Sequence, residues 1–398
     1  GVFAHLILQK NNLMKNMILL FIIGIILLLH SCATESSIKD TFLLQPTDTY
    51  LNFPIDEDTR LPKYCLWTFE DAGKEYLAFP NGGKEILFYD IESESLLKKS
   101  EYMFEGVDGV GYIHSFAITD FDHIYIPSMN EPIIYETDTT SRIRTKIRYG
   151  KTDKGLHLLP TEFCINSPMI ILGDHFYISQ YRNRGLGEKC LTESPRGVMI
   201  DRITEKGIIT PLKYIIPVEN MQDAHLLTSG DGGSVCFDGE NLVYSYELID
   251  TVYTLSTDFS VIKKYPAKSK FIEETKFEVV RNATLEQKLK RICELPIYGN
   301  IIYDKYRDVY YRFTFPEVEM DKEKSYLDIF HSGRKQFSII ILDKNMNIVG
   351  ETLFPEYTYN PNLVFIRKDG LYLSISHVKR LDFDENTLRF QKIELVEM

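Results

Sequence analysis

Residues 300–311 read Asn300-Ile301-Ile302-Tyr303-Asp304-Lys305-Tyr306-Arg307-Asp308-Val309-Tyr310-Tyr311. Two short runs of Ile, Val and Tyr, types that suit a pleated and half-buried surface, flank a tight polar turn. That order spells a β-hairpin. The same device occurs six times along the chain. Upstream, Cys65–Phe69 turns into Glu75–Phe79, and Ser115–Ile118 into His123–Ile126. Met169–Leu172 turns into His175–Ile178, and Ser234–Phe237 into Asn241–Tyr244. Downstream, Leu363–Ile366 turns into Gly370–Leu373.

Most copies are followed by two further strand-like runs, such as Glu85–Ile91 with Ser95–Tyr102, or Phe337–Asp343 with Asn347–Leu353. Each unit is then a four-stranded meander. A repeat of about 50–65 residues built this way is the sequence pattern of a propeller blade. The expected fold is all-β, a six-bladed β-propeller of four-stranded antiparallel blades over residues 49–398. The last unit lacks a separate fourth strand after Leu388–Val396. The extended apolar segment Thr49–Ile55, ahead of the first unit, is expected to supply it and close the ring, since an open ring exposes sheet edges. A large β-sandwich is the alternative arrangement. A parallel sheet is excluded, because no helical crossovers separate the strand runs.

The connections are asymmetric. Turns joining first to second and third to fourth strands lie on one face of such a meander, and they are short. The other face receives every long insertion: Arg182–Arg196, Glu219–Gly233, Ser269–Pro296 and Pro316–Gln336. Long loops in a compact domain carry function more often than short ones, so this loop-rich face is the expected binding surface. One inter-blade insertion is expected to hold a short helix. Thr284-Leu285-Glu286-Gln287 has the form of a capping box, and Leu285, Leu289, Ile292 and Leu295 follow at helical spacing.

Candidate ligand-binding residues sit where strands enter or leave the loop-rich face: Asn81, His114, Asn130, Tyr181, Arg182, Tyr246, Arg312 and His377. Asn166, Asp231, Asn300 and Asn362 occupy similar positions. Amides, aromatics and arginines suit sugars or peptides through hydrogen bonds and stacking. No motif for catalysis accompanies them. HExxH, CxxC and GxSxG do not occur, and there is no repeated S-x-D-x-G motif of the sialidase-like kind. Gly230-Asp231-Gly232-Gly233 lacks the alternating carboxylates of a calcium loop and the Lys-Ser/Thr of a phosphate loop. No catalytic residue, metal site or cofactor is expected.

The N-terminus addresses the protein. An apolar run of 13 residues, Met17–Leu29, follows Lys10 and Lys15 and precedes His30-Ser31-Cys32, and no acid occurs before Glu35. The run is too short for a spanning helix, which needs about 20 residues. It reads as a lipoprotein signal over residues 1–31, with Cys32 lipidated, residues 1–13 an upstream extension before Met14, and residues 32–48 a tether. The expected location is the bacterial cell envelope, at the outer membrane through a lipid on Cys32.

The chain carries a net charge of −12, and near −14 once residues 1–31 are removed. That argues against nucleic acid, whose phosphates demand a basic surface. Apart from Cys32, the cysteines are Cys65, Cys164, Cys190, Cys236 and Cys293, an odd number. A Cys164–Cys190 bridge and buried unpaired thiols are both open readings.

The six hairpins, together with the Cys32 signal, resemble a family of bacterial lipoproteins built on a TolB-like six-bladed β-propeller, a domain of unknown function. The resemblance covers residues 48–398. It implies a fold and a compartment, and it brings no catalytic residues. The function expected from these readings is a tethered module recognising a peptide, protein or glycan. The alternative is an extracytoplasmic hydrolase or lyase acting on a glycan or lactone.

Overall fold

The computed structural model describes residues 40–128, 131–149, 152, 164, 167–180, 195–213, 225–227, 233–276, 278–280 and 283–398. Strand β1 (Phe42–Pro54) comes first and is used last, as shown below. Blade 1 is β2 (Trp67–Asp71), β3 (Lys74–Asn81), β4 (Glu85–Asp90) and β5 (Ser95–Glu101). Blade 2 is β6 (Ala117–Asp120), β7 (His123–Pro127), β8 (Ile133–Thr137) and β9 (Ile143–Arg148). Blade 3 is β10 (Ile170–Leu172), β11 (His175–Ser179), β12 (Gly197–Asp201) and β13 (Gly207–Ile209). After β14 (His225–Leu227), blade 4 is β15 (Ser234–Phe237), β16 (Asn241–Ser245), β17 (Thr251–Ser256) and β18 (Ile262–Pro266). After β19 (Glu278–Val280) and helix α1 (Leu285–Glu294), blade 5 is β20 (Ile297–Asp304), β21 (Val309–Phe315), β22 (Ser338–Asp343) and β23 (Ile348–Leu353). Helix α2 (Tyr326–Ser332) interrupts blade 5 between β21 and β22. Blade 6 is β24 (Asn360–Arg367), β25 (Gly370–Ser374), β26 (Thr387–Glu397) and β1.

All six expected hairpins are therefore present as the first two strands of six antiparallel blades. Burial explains the composition of each strand. The second strand of blade 5, Val-Tyr-Tyr-Arg-Phe-Thr-Phe, is buried at every position because neighbouring blades cover both of its faces. The outermost strand of blade 4, Ile-Lys-Lys-Tyr-Pro, faces solvent and carries lysines, which also blunt the edge. The core consists of six apolar clusters, one at each blade interface. The interface of blades 6 and 1, for example, stacks Phe53, Phe365 and Phe390 against Leu77, Phe79 and Tyr89.

The ring closes as expected, but the closing strand is longer. It starts at Phe42, not Thr49, so Phe42–Asp48 belongs to the blade and not to the tether. Phe42 pairs with Glu397 and Pro54 with Thr387, with a register shift between Pro46 and Tyr50. A proline has no N–H for the ladder, and here it stands where the register shifts. The start of β1 also leans on blade 5. Thr41 N donates to Val349 O at 2.8 Å, and Leu44 N to Thr352 Oγ1 at 2.8 Å. Gly350 makes room for it, since a Cβ there would sit 2.0 Å from the Phe42 carbonyl oxygen.

The loop-rich face departs from expectation in two ways. It holds two helices among the described residues, not one, because α2 forms within a blade and not between blades. Ser325 caps it, with its side chain accepting from Asp328 N at 3.2 Å, and Gly333 ends it with φ 110°. The capping box of α1 is present. Thr284 Oγ1 accepts from Gln287 N at 3.2 Å, and Gln287 Oε1 from Thr284 N at 2.9 Å. The expected stripe is used in part: Leu295 is buried and Leu289 packs on the α1–α2 cluster of Cys293, Met320, Tyr326 and Ile329, whereas Leu285 is 70 % exposed. The blade 3–4 and 4–5 connections meet as a two-stranded ribbon, β14 against β19.

Candidate functional site

Most of the described candidates on the loop-rich face spend their polar atoms inside the fold. Arg312 is fully buried on β21. Its Nε donates to Ser245 Oγ at 2.9 Å, Nη1 to Ala267 O at 2.9 Å and Nη2 to Ile249 O at 2.7 Å. The guanidinium lies 3.9 Å from the centre of the Tyr298 ring, and burial lowers its pKa to about 10. Arg312 is thus a cross-tie between blades 4 and 5. His377 is fully buried as well. Its Nδ1 accepts from Lys379 N at 3.1 Å, which leaves the proton on Nε2 to donate to Gly333 O at 2.9 Å. Burial lowers its pKa to about 4, against a raising contribution from the Gly333 bond. It pins blade 6 to the end of α2.

Asn81 closes a loop, accepting from Arg60 N at 3.2 Å and donating to Asp58 O at 3.0 Å and Glu85 Oε2 at 2.8 Å. Tyr246 is buried under the Arg196 guanidinium and donates to Lys213 O at 3.0 Å. His114 is half-buried with its ring 4.5 Å from that of Tyr112, and burial lowers its pKa. Asn300 and Asn362 each donate to a backbone carbonyl, of Pro361 and Phe330, at 3.5 Å. Asn130, Tyr181, Arg182, Asn166, Asp231, Cys190 and the lipidation site Cys32 lie outside the described residues. Cys65, Cys164, Cys236 and Cys293 are buried.

The opposite mouth of the channel is open. A cavity of about 340 Å³ is lined by the first strands of five blades, by Leu66 and Pro168 just ahead of two of them, and by Lys305 and Tyr306 in the short turn of blade 5. Its walls are apolar and aromatic: Trp67 and Phe69 from blade 1, Ile170 from blade 3, Phe237 from blade 4, Ile302 and Tyr303 from blade 5, and Ile366 from blade 6. Trp67, the single tryptophan of the chain, reaches toward blade 2 and donates from Nε1 to Ile118 O at 2.7 Å.

Four charged side chains join this wall: Glu70, Glu75, Lys305 and Arg367. Arg367 bridges blades 6 and 1, its Nε 2.7 Å and its Nη2 2.6 Å from Glu75 Oε2. The rim is held by similar ties. Arg307 Nη1 donates to Asp304 Oδ2 at 2.7 Å, and Nη2 to Lys368 O at 3.1 Å, joining the turns of blades 5 and 6. Tyr310 donates to Asp238 Oδ2 at 2.7 Å between blades 5 and 4. The hairpin bearing Glu70 and Glu75 is tight, with Ala72 at φ 49° and Gly73 at φ 76°. Positive φ at both central residues is the signature of a type I′ turn, which holds the two strands in register.

The sequence reading passed over this site because its members are spread over several hairpins and no motif links them. A cavity of this kind with a few charged groups is the usual form of a small-ligand site. Among the described residues, no three His, Cys, Asp or Glu side chains come close enough to hold a metal ion.

The model of a domain of unknown function, DUF4221, matches residues 41–353, most of the chain and most of the propeller. The chain belongs to the DUF4221 family. A solved structure of another DUF4221 member, from Bacteroides vulgatus, aligns with a TM-score of 0.75 at 24 % identity, covering 90 % of this chain and 100 % of the other. A protein from Bacteroides fragilis, described as exported, aligns with a TM-score of 0.52 at 11 % identity, covering 92 % and 98 %. At these identities the likeness speaks for the DUF4221 fold alone. No curated relative matches the chain.

Proposed function

We propose that this DUF4221 protein is an extracytoplasmic lipoprotein of the bacterial envelope, tethered to the outer membrane through Cys32. Its propeller is a binding module, and its ligand enters the short-turn mouth of the channel. The observation that carries this reading is the contrast in polar groups. Among the described residues of the loop-rich face, Arg312, His377 and Asn81 are consumed by the fold. At the short-turn mouth, apolar walls and unspent charges surround an open cavity. The binding surface is thus moved from the face favoured by loop length to the opposite one.

The envelope address is supported by the signal-like order of Met17–Leu29 and Cys32, and by the description of the Bacteroides fragilis neighbour as exported. Cys32→Ala should end palmitate incorporation and release the protein from membranes. Unchanged labelling would overturn the anchor. For the module, Trp67 is a built-in reporter, since the one indole of the chain lines the cavity. A ligand that seats there should shift its emission saturably. A panel of aromatic, peptide and sugar ligands that never moves Trp67 emission would overturn the assignment of the site.

A further inference from the structure

The short-turn mouth carries an imbalance of charge that the fold does not resolve. Glu70 and Glu75 stand directly opposite each other in the β2–β3 ladder, where like charges repel. Arg367 answers Glu75 alone, with both of its contacts on one oxygen, Oε2. Glu70 is exposed on the cavity wall, and its side chain has no hydrogen bond or ion pair among the described residues. Lys305 lies in the β20–β21 turn of blade 5, two blades away round the ring. Its ammonium sits 5.1 Å from the centre of the Tyr306 ring and meets no carboxylate among the described residues. The wall of the same cavity is otherwise largely apolar and includes Trp67, Phe69, Ile302 and Ile366.

We propose that this mouth binds a short zwitterionic peptide with apolar side chains, its ammonium on Glu70 and its carboxylate on Lys305. The inference rests on the reading of the cavity as a ligand site and adds the class of ligand. Each charge excludes an alternative. A neutral glycan would leave both Glu70 and Lys305 unanswered. A simple cation would answer Glu70 and leave the aromatic walls wet. An anion alone would answer Lys305 and leave Glu70 unanswered. A peptide with free termini answers one carboxylate and one ammonium, and it buries its side chains where the walls are apolar.

The test follows Trp67 emission in the full chain, with the dipeptide Phe-Leu, its N-acetyl form, its C-terminal amide, and benzyl alcohol as an uncharged control. Phe-Leu should bind saturably. N-acetylation should weaken it about tenfold in the native protein, the worth of one charge-assisted hydrogen bond, and should cost nothing further in Glu70→Gln. Amidation should behave in the same way toward Lys305→Gln. Both side chains are exposed, so unchanged melting of the variants confirms that the fold is intact. Equal binding of free and acetylated dipeptide would overturn the role of Glu70, and equal binding of acid and amide that of Lys305. If benzyl alcohol saturates and Phe-Leu does not, the peptide inference falls while the cavity remains a ligand site. If neither moves Trp67, both readings fall.

Discussion

The two mouths of one channel use the same residue types to opposite ends. At the loop-rich mouth, Arg312 and His377 are fully buried and anchored to backbone carbonyls of neighbouring segments. At the short-turn mouth, Arg367 and Glu75 keep 22 % and 31 % of their side-chain surface exposed, and Glu70 and Lys305 stay in solvent. The difference teaches that a polar side chain at a strand end can serve the fold as readily as it could serve a ligand. Here the described insertion Pro316–Gln336 takes up His377 through the Gly333 carbonyl, whereas the tight turn before Glu75 leaves Glu70 exposed on the cavity wall.

The comparison breaks first, and hardest, at Arg312. Replacing it with methionine leaves several buried carbonyls without a donor, each worth about 1–3 kcal/mol. Arg312→Met should therefore lose about 3–5 kcal/mol of stability by guanidinium unfolding. Ligand affinity per folded molecule should not change. A ligand-binding loss at unchanged stability would mean that the loop-rich mouth is functional after all.

His377 gives the next effect, and its sign is set by the lowered pKa. As pH falls below 6.5 the unfolded chain takes up a proton that the folded chain refuses until about pH 4. Stability is therefore fully present above pH 6.5, is lost progressively between 6.5 and 4, and falls no further from this group below that. The loss should reach about 2–3 kcal/mol. His377→Gln keeps a donor for Gly333 O and should flatten this window of the unfolding-midpoint profile. An equally steep profile in the variant would assign the acid sensitivity elsewhere.

The short-turn mouth should respond in the opposite way. Glu75→Gln removes a half-exposed ion pair worth about 0.2–1 kcal/mol, a small change in melting. Glu70→Gln should be neutral or stabilising by a few tenths of a kcal/mol, because it relieves the repulsion across the β2–β3 ladder. A clear loss of stability in Glu70→Gln would show that this carboxylate serves the fold and not a ligand.

The fold was legible because its signal is repeated. A hairpin such as Asn300–Tyr311 is weak evidence alone, but six copies at blade spacing leave few architectures. The first residues of β1 were illegible for a physical reason. An outermost strand has one face in solvent, so Phe42-Leu43-Leu44 followed by Gln45-Pro46-Thr47-Asp48 carries no sustained apolar period, and Pro46 marks a register shift. Helix α2 was missed because seven residues bury only Tyr326 and Ile329, too few to set a period. The signal present was Ser325-Tyr326-Leu327-Asp328 before Gly333, an N-cap and a stop. The site was the least legible part. Trp67, Glu70, Phe237, Lys305 and Arg367 come together only when the ring closes, and closure is a property of the whole chain.

The most direct test of the account is to plug one mouth at a time. Tyr306 is 40 % exposed at the short-turn rim, and Val107 is 88 % exposed on the loop-rich side. Tyr306→Cys and Val107→Cys, each labelled with a bulky non-fluorescent maleimide, are titrated with Phe-Leu and with benzyl alcohol while Trp67 emission is followed. The account predicts that the label at position 306 abolishes the titration and that the label at 107 leaves it unchanged. Loss of binding only on labelling at 107 would contradict it.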